Sequence, residues 1–131
     1  MAYTDHFLDQ TLQWLQTQAR SGSHDTGLIY LSDHGESLGE NGLYLHGVPY
    51  SFAPHQQTHV PMVAWLSPRL RERSGLSLDC LRARAAEPIS HDHFFHSVLG
   101  LMDVNTQAYQ PALDALAPCV ALHEQAAKLR G

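Results

Sequence analysis

At 131 residues the chain has length for one modest core, and its hydrophobic fraction of 44% is that of an ordinary globular protein, which argues against intrinsic disorder. Eight Lys and Arg against thirteen Asp and Glu leave a formal net charge of -5, which argues against the basic surface that binds nucleic acid. Ten histidines make that balance conditional on pH.

In chain order, Leu8, Leu12, Leu15 and Ala19 recur at helical spacing and predict a helix over residues 4 to 20, with Thr4 as N-cap and Gly22 as stop. The polar residues 21 to 27 read as a loop, and 28 to 32 as the first strand. Glycines together with Pro49 and Pro54 exclude long regular structure between residues 35 and 59, so an irregular active-site loop is expected there. A second strand follows over residues 60 to 66. Ser67-Pro68 opens a short helix that Gly75 ends, and a further helix over residues 77 to 86 stops at Pro88. Ser90 reads as the N-cap of the next helix, with Asp92 in its first turn. Phe95, Val98, Leu99 and Met102 form an apolar stripe expected to pack on the sheet. Residues 112 to 116 and 121 to 129 read as helical on alanine propensity alone.

Helix followed by strand gives an α/β class, expected as a mostly parallel sheet flanked by helices. Two strands fall short of the roughly five or six of a self-sufficient sheet, so the sheet is expected to be incomplete in this chain. No domain linker is evident, and residues 1–131 read as one portion of a domain. Cys80 and Cys119 leave two alternatives open: a disulfide closing a loop of about 40 residues, worth about 4 kcal/mol in the chain-entropy model, or two unpaired buried thiols.

The stretch from Leu28 to Gly47 carries the chemistry. An apolar strand delivers Asp33 and His34 into a glycine-rich loop that continues through Glu36 and returns His46. In open α/β sheets ligands collect beyond the carboxyl ends of such strands. A carboxylate and a neutral imidazole, with no thiolate, suit zinc or a similar divalent ion at a catalytic site. Asp33-His34-Gly35 taken alone also fits an ordinary turn after a strand. Glu36 reads equally as a residue that orients a metal ligand and as a solvated loop acid. His55 and His59 are loop histidines within reach of a substrate role. His91, His93 and His96 are numerous enough for a metal cluster, but their spacing spreads them around a helix, and they read as structural or surface residues.

Ser32-Asp-His-Gly-Glu-Ser-Leu-Gly-Glu-Asn-Gly42, Tyr44-Leu-His46-Gly47, Pro49-Tyr50, Ala53-Pro54 and Gln57-Thr-His-Val-Pro-Met62 resemble the C-terminal catalytic segment of the lipid A phosphoethanolamine transferases, members of the alkaline phosphatase and sulfatase superfamily. Tyr3-Thr4-Asp5 and Pro88-Ile-Ser90-His91-Asp92, each opening a helix, extend the resemblance over most of the chain. The resemblance implies a partial alkaline phosphatase/sulfatase-like sandwich. It also implies zinc bound by Asp33 and His34, and His46 facing the phosphoryl group or a second metal.

By the same resemblance, the substrates are phosphatidylethanolamine as donor and lipid A phosphate as acceptor. The parent enzyme would lie in the bacterial inner membrane with this domain periplasmic, tethered only through N-terminal helices that this chain lacks. No apolar stretch here approaches the ~18 residues that cross a bilayer, and the N-terminus has no basic segment ahead of an apolar core, so the chain alone is expected to be soluble. The family's nucleophile is a threonine in an upstream segment. None of Thr4, Thr11, Thr17, Thr26, Thr58 and Thr106 stands in such a context, so the isolated chain is expected to be inactive. Two alternatives remain: a fragment of a sulfatase- or phosphatase-type metallohydrolase, and a non-catalytic metal-binding remnant.

Overall fold

Two apolar runs, residues 27 to 31 and 62 to 66, find each other across a connection of irregular chain, and this pairing organises the site. In the computed structural model, which describes residues 2 to 121, β1 (Gly27–Leu31) and β4 (Met62–Leu66) pair antiparallel, with Gly27 opposite Leu66 and Leu31 opposite Met62. A second, two-residue pair joins β2 (Ser37–Leu38) to β3 (Tyr44–Leu45), also antiparallel. The α/β class stands, but no parallel pairing occurs among the described residues. Apolar composition does not tell which way a strand's neighbour runs. Antiparallel neighbours need no helical crossover, and none lies between β1 and β4.

The helices follow local chemistry closely. Helix α1 (Ala2–Arg20) starts two residues before Thr4, which lies inside the helix and is not its cap. Its stripe of Leu8, Leu12, Leu15 and Ala19 is half-buried, while Tyr3, Phe7 and Trp14 are exposed. Helix α2 (His55–Thr58) is a single turn inside the stretch read as irregular. Helix α3 (Pro68–Ser74) begins as read: the Ser67 hydroxyl accepts from the Leu70 N–H at 3.3 Å, and Pro68 occupies the first turn, where no amide proton is needed. Gly75 closes it at φ 66°, a left-handed cap that only glycine adopts cheaply, and the N–H of buried Leu76 returns to the Arg71 carbonyl. Helix α4 (Leu78–Arg84) is capped by Ser77, and helix α5 (His91–Leu101) by Ser90, whose N–H donates to His93 Nδ1 at 3.1 Å. Short 3-10 turns at Pro111–Leu113 and Ala117–Cys119 replace the helix read over residues 112 to 116. Residues 122 to 129 of the helix read after Ala121 lie outside the described residues.

The chain divides into two compact units. The first, Met1–Thr17 with Thr26–Leu66, holds both strand pairs and the loop between them. Thr26 ties β1 to α1 within it, its hydroxyl donating to the Leu15 carbonyl at 3.1 Å.

The second unit joins residues 18 to 25 to the chain after Leu66, and it contains Leu70, Leu76, Leu116 and Cys119, four of the five fully buried apolar residues described. Cys80 and Cys119 are disulfide-bonded, with Cα atoms 5.5 Å apart, which settles the open question of their state. Backbone hydrogen bonds from Ser77 to Cys119 and from Ala121 to Gly75 run beside the bond. Asp25 is clamped from α3 by Arg69 Nε at 3.5 Å and Arg73 Nε at 3.2 Å.

The apolar stripe expected on α5 is not its buried face. Phe95 and Met102 are exposed, and His96 and Ser97 are buried. Each of those polar groups has a partner: Gln110 N–H donates to His96 Nδ1 at 3.1 Å and Ala115 N–H to Ser97 Oγ at 2.9 Å. Gly100 allows the closest approach, since a Cβ there would stand 2.0 Å from Asp114 Oδ2. The buried side of α5 is therefore chosen by hydrogen bonds to the segment after Tyr109, which a hydropathy pattern does not register.

Candidate metal centre

Everything in the candidate site belongs to the first unit and hangs from the carboxyl end of β1. Ser32 donates its hydroxyl to the His34 carbonyl at 2.8 Å, and the His34 N–H donates to Asp33 Oδ1 at 3.1 Å, so the chain turns sharply and presents both side chains together. Asp33 Oδ2 lies 3.8 Å from His34 Nε2. Two tetrahedral ligands about 2.0–2.1 Å from one zinc stand roughly 3.3–3.4 Å apart, so this pair would close by a few tenths of an ångström to share an ion.

Gly35 explains why a glycine follows. A Cβ at that position would lie 1.8 Å from the Gln56 carbonyl oxygen, and the Gly35 N–H donates to the Gln57 carbonyl at 3.0 Å. The loop is thus bolted to α2 at its first turn. A second bolt comes from Gln57, whose buried side-chain amide donates to the Ser37 hydroxyl at 2.8 Å. Neither contact was legible beforehand. Ser37 and Gln57 stand 20 residues apart with no periodic signal, although Gln57 lies within the stretch that carries the family resemblance.

The loop then returns His46 to its start. His46 follows Leu45, a bulky residue held at φ 66°, a conformation that costs energy in any residue with a Cβ. Its ring faces that of His34, with centroids 3.9 Å apart and planes inclined by 34°. His46 Nδ1 donates to Glu36 Oε2 at 3.1 Å, and His34 Nδ1 donates to the Gly35 carbonyl at 2.9 Å. In both histidines the Nδ1 proton is therefore engaged, which leaves each Nε2 as the atom with a free lone pair. His34, Glu36 and His46 offer ligand atoms that all lie within 4.8 Å of one another, the one group of three or more such residues among those described.

All four expected site residues thus sit on one loop, but not equally. Asp33 touches the group only through His34, and its side chain is 89% exposed. Glu36, ambiguous in sequence, belongs with His46. Two carboxylates and two imidazoles without a thiolate fit zinc or another borderline divalent cation. His55, at the start of α2, pairs with His59 just beyond that helix, ring centroids 4.4 Å apart, outside this group. His93 and His96 serve the caps and packing of α5 in the second unit.

Comparison with known proteins bears on the family of the chain and its fold. The family described as Sulfatase matches residues 1–104. Phosphoethanolamine transferase EptA of Salmonella typhimurium is 47% identical over 123 residues, covering 93% of this chain and 22% of that protein. Phosphatidylethanolamine transferase Mcr-1 of Escherichia coli is 42% identical over 102 residues, 77% of this chain and 17% of that protein. Among solved structures, the soluble domain of lipooligosaccharide phosphoethanolamine transferase A from Neisseria meningitidis superposes with a TM-score of 0.83 at 47% identity, over 91% of this chain and 35% of that one. The C-terminal periplasmic domain of EptC from Campylobacter jejuni gives 0.73 at 39%, over 91% of this chain and 36% of that one. The chain spans about a fifth of the length of these full-length relatives. No helix among the described residues is long and apolar enough to cross a membrane. On the family match, the resemblance across nine-tenths of its length and the shared fold, the chain belongs to the sulfatase family and resembles, within it, the phosphoethanolamine transferases.

Proposed function

We propose that this chain is the C-terminal portion of the periplasmic catalytic domain of a zinc-dependent phosphoethanolamine transferase, which moves phosphoethanolamine from phosphatidylethanolamine to a phosphate of lipid A. The observation that carries this reading is the convergence of His34, Glu36 and His46 just beyond β1, with Asp33 joined to His34. The relatives support the substrate classes: Mcr-1 is a phosphatidylethanolamine transferase, and an Escherichia coli relative that is 33% identical over 72 residues is a Kdo(2)-lipid A phosphoethanolamine 7''-transferase.

Asp33 and His34 would hold the ion through Oδ2 and Nε2. Bound there, zinc supplies fixed positive charge against the charge that develops on a transferring phosphoryl group. Glu36 keeps His46 Nδ1–H in place, so that Nε2 points outward. That nitrogen serves as a ligand when the ring is neutral and donates to a phosphoryl oxygen when the ring is protonated. Gly35 and Gln57 keep the loop from drifting, which matters because small misplacements of such groups cost orders of magnitude in rate. None of the six threonines stands in the sequence context of the family's nucleophile, so the attacking group would come from elsewhere in the enzyme, and the isolated chain would carry out no transfer.

Isothermal titration with zinc tests the reading. Saturable binding by the chain, weakened about tenfold or more in His34→Ala, supports it. Absence of binding, or binding indifferent to His34, Glu36 and His46 together, overturns it. Sustained transfer from phosphatidylethanolamine by the isolated chain would refute its dependence on an outside nucleophile.

A further inference from the structure

Glu36 is held from both sides by one residue. On one side the Gly35 N–H donates to the Gln57 carbonyl at 3.0 Å, and on the other the Gln57 side-chain amide donates through Nε2 to Ser37 Oγ at 2.8 Å. Ser37 and Gln57 are both buried, at 2% and 7% exposure. Burying an amide costs free energy unless it is bonded, and an apolar side chain of that size would cover the same surface without the cost. What the amide adds is direction. Gln57 is itself anchored, since its N–H donates to the Pro54 carbonyl at 2.9 Å, and α2 runs on by way of residues 59 to 61 into β4, the partner of β1.

The bond to Ser37 acts where the loop is least able to fix itself. β2 and β3 pair over two residues each, with Ser37 opposite Leu45 and Leu38 opposite Tyr44. Carried one position outward, that register sets Glu36 opposite His46, the pair joined at 3.1 Å. So short a ladder specifies its register weakly, and a slip of one residue would turn every side chain of the strand to the other face. Pinning Ser37 holds the register from outside the ladder. We propose that Gln57 is a positioning residue of the metal loop: its side-chain amide, through Ser37, keeps Glu36 opposite His46, and thereby keeps the His46 proton on Nδ1 and the Nε2 lone pair turned outward. His34 is oriented by a different route, its Nδ1 donating to the carbonyl of Gly35, which is tied to Gln57 through backbone alone. The amide therefore governs one histidine and not the other. The proposal rests on the transferase reading only for the identity of the ion that His46 would meet.

Nitrogen–proton correlation spectra of the metal-free full chain, recorded at about pH 8 where an ordinary imidazole is neutral, read the tautomer of each histidine and test the proposal. The parent is expected to show the Nδ1–H form at both His34 and His46. In Gln57→Leu, which removes the amide and keeps the backbone bond to Gly35, His46 should become a mixture of tautomers while His34 is unchanged, and Glu36→Gln should give the same mixture at His46. Ser37→Ala, which removes only the acceptor, should reproduce Gln57→Leu. Zinc affinity should fall about tenfold in Gln57→Leu, but by less than about twofold when the same change is made in Glu36→Gln, because both act through one bond. The proposal is overturned if the parent lacks the Nδ1–H form at His46, if His46 keeps it in Gln57→Leu and Ser37→Ala, if His34 shifts along with it, or if the two losses of zinc affinity add. It is also overturned if circular dichroism shows that neither Gln57→Leu nor Ser37→Ala folds, since the bond is then structural. The spectra need no metal: a chain with the expected tautomers that binds no zinc loses the transferase reading and keeps the positioning role, and zinc binding with His46 unmoved in Gln57→Leu removes the positioning role alone.

Discussion

Glu36 holds His46, ten positions further along the loop, with Oε2 3.1 Å from Nδ1, and this bond fixes which ring nitrogen faces outward. A carboxylate that sets the tautomer of a histidine is the usual support for a metal ligand. Replacing Glu36 by Gln should therefore leave the fold intact, because both side chains are exposed, and weaken zinc binding by about ten- to a hundredfold. Titration calorimetry checks the affinity and thermal unfolding checks the fold. Since ligands must be free of protons to bind metal, affinity in the parent chain should also fall as the pH is lowered.

Gly35→Ala should be far more damaging than its chemistry implies. The new methyl group would meet the Gln56 carbonyl oxygen at 1.8 Å, and the obstacle is backbone, which does not swing aside. A loss of about 2–4 kcal/mol in urea unfolding is expected, with zinc affinity falling as the loop lifts from α2. An unchanged midpoint would show that α2 yields freely.

Reduction of the disulfide should cost stability in the second unit. Cys80 and Cys119 are 39 residues apart in sequence, and restoring that freedom to the unfolded chain costs the fold about 2–4 kcal/mol. Thiol titration in denaturant should find no free thiol before reduction and two after it. Cys80→Ser/Cys119→Ser should unfold at the lower midpoint whether or not reductant is present.

Tyr109 supplies a test at high pH. Its hydroxyl donates to Asp114 Oδ2 at 2.7 Å, and burial, reinforced by the bond to Asp114 and by the charge of that carboxylate, raises its pKa well above the usual tyrosine value. The folded chain therefore holds this proton where the unfolded chain releases it. The contribution is complete below about pH 10 and is lost as the pH rises from there toward the folded value. Ultraviolet titration should show one tyrosine ionising later than the rest. In Tyr109→Phe that late step should vanish, with a loss of about 1–3 kcal/mol at neutral pH as Asp114 Oδ2 loses this donor.

Legibility followed the range of the interaction. Ser67, Gly75 and Ser90 cap their helices as read, because a cap is a contract between residues at most a few positions apart. Asp33, His34, Glu36 and His46 were identifiable because strand, turn and glycine-rich loop follow one another in the chain. The α5 stripe was misread because burial there goes to His96 and Ser97, whose partners Gln110 and Ala115 lie 14 and 18 residues away.

By itself the sequence determined the order of helices and strands, the chemical types at the metal loop and the absence of formal charge between residues 41 and 68. Only the tertiary structure decided that β1 and β4 run antiparallel, that Cys80 bonds Cys119, and that Glu36 reaches His46 while the His46 ring comes to rest against that of His34. Each of those outcomes depends on where distant segments come to rest. Local propensities are blind to that, because the energies concerned arise only when the two surfaces meet.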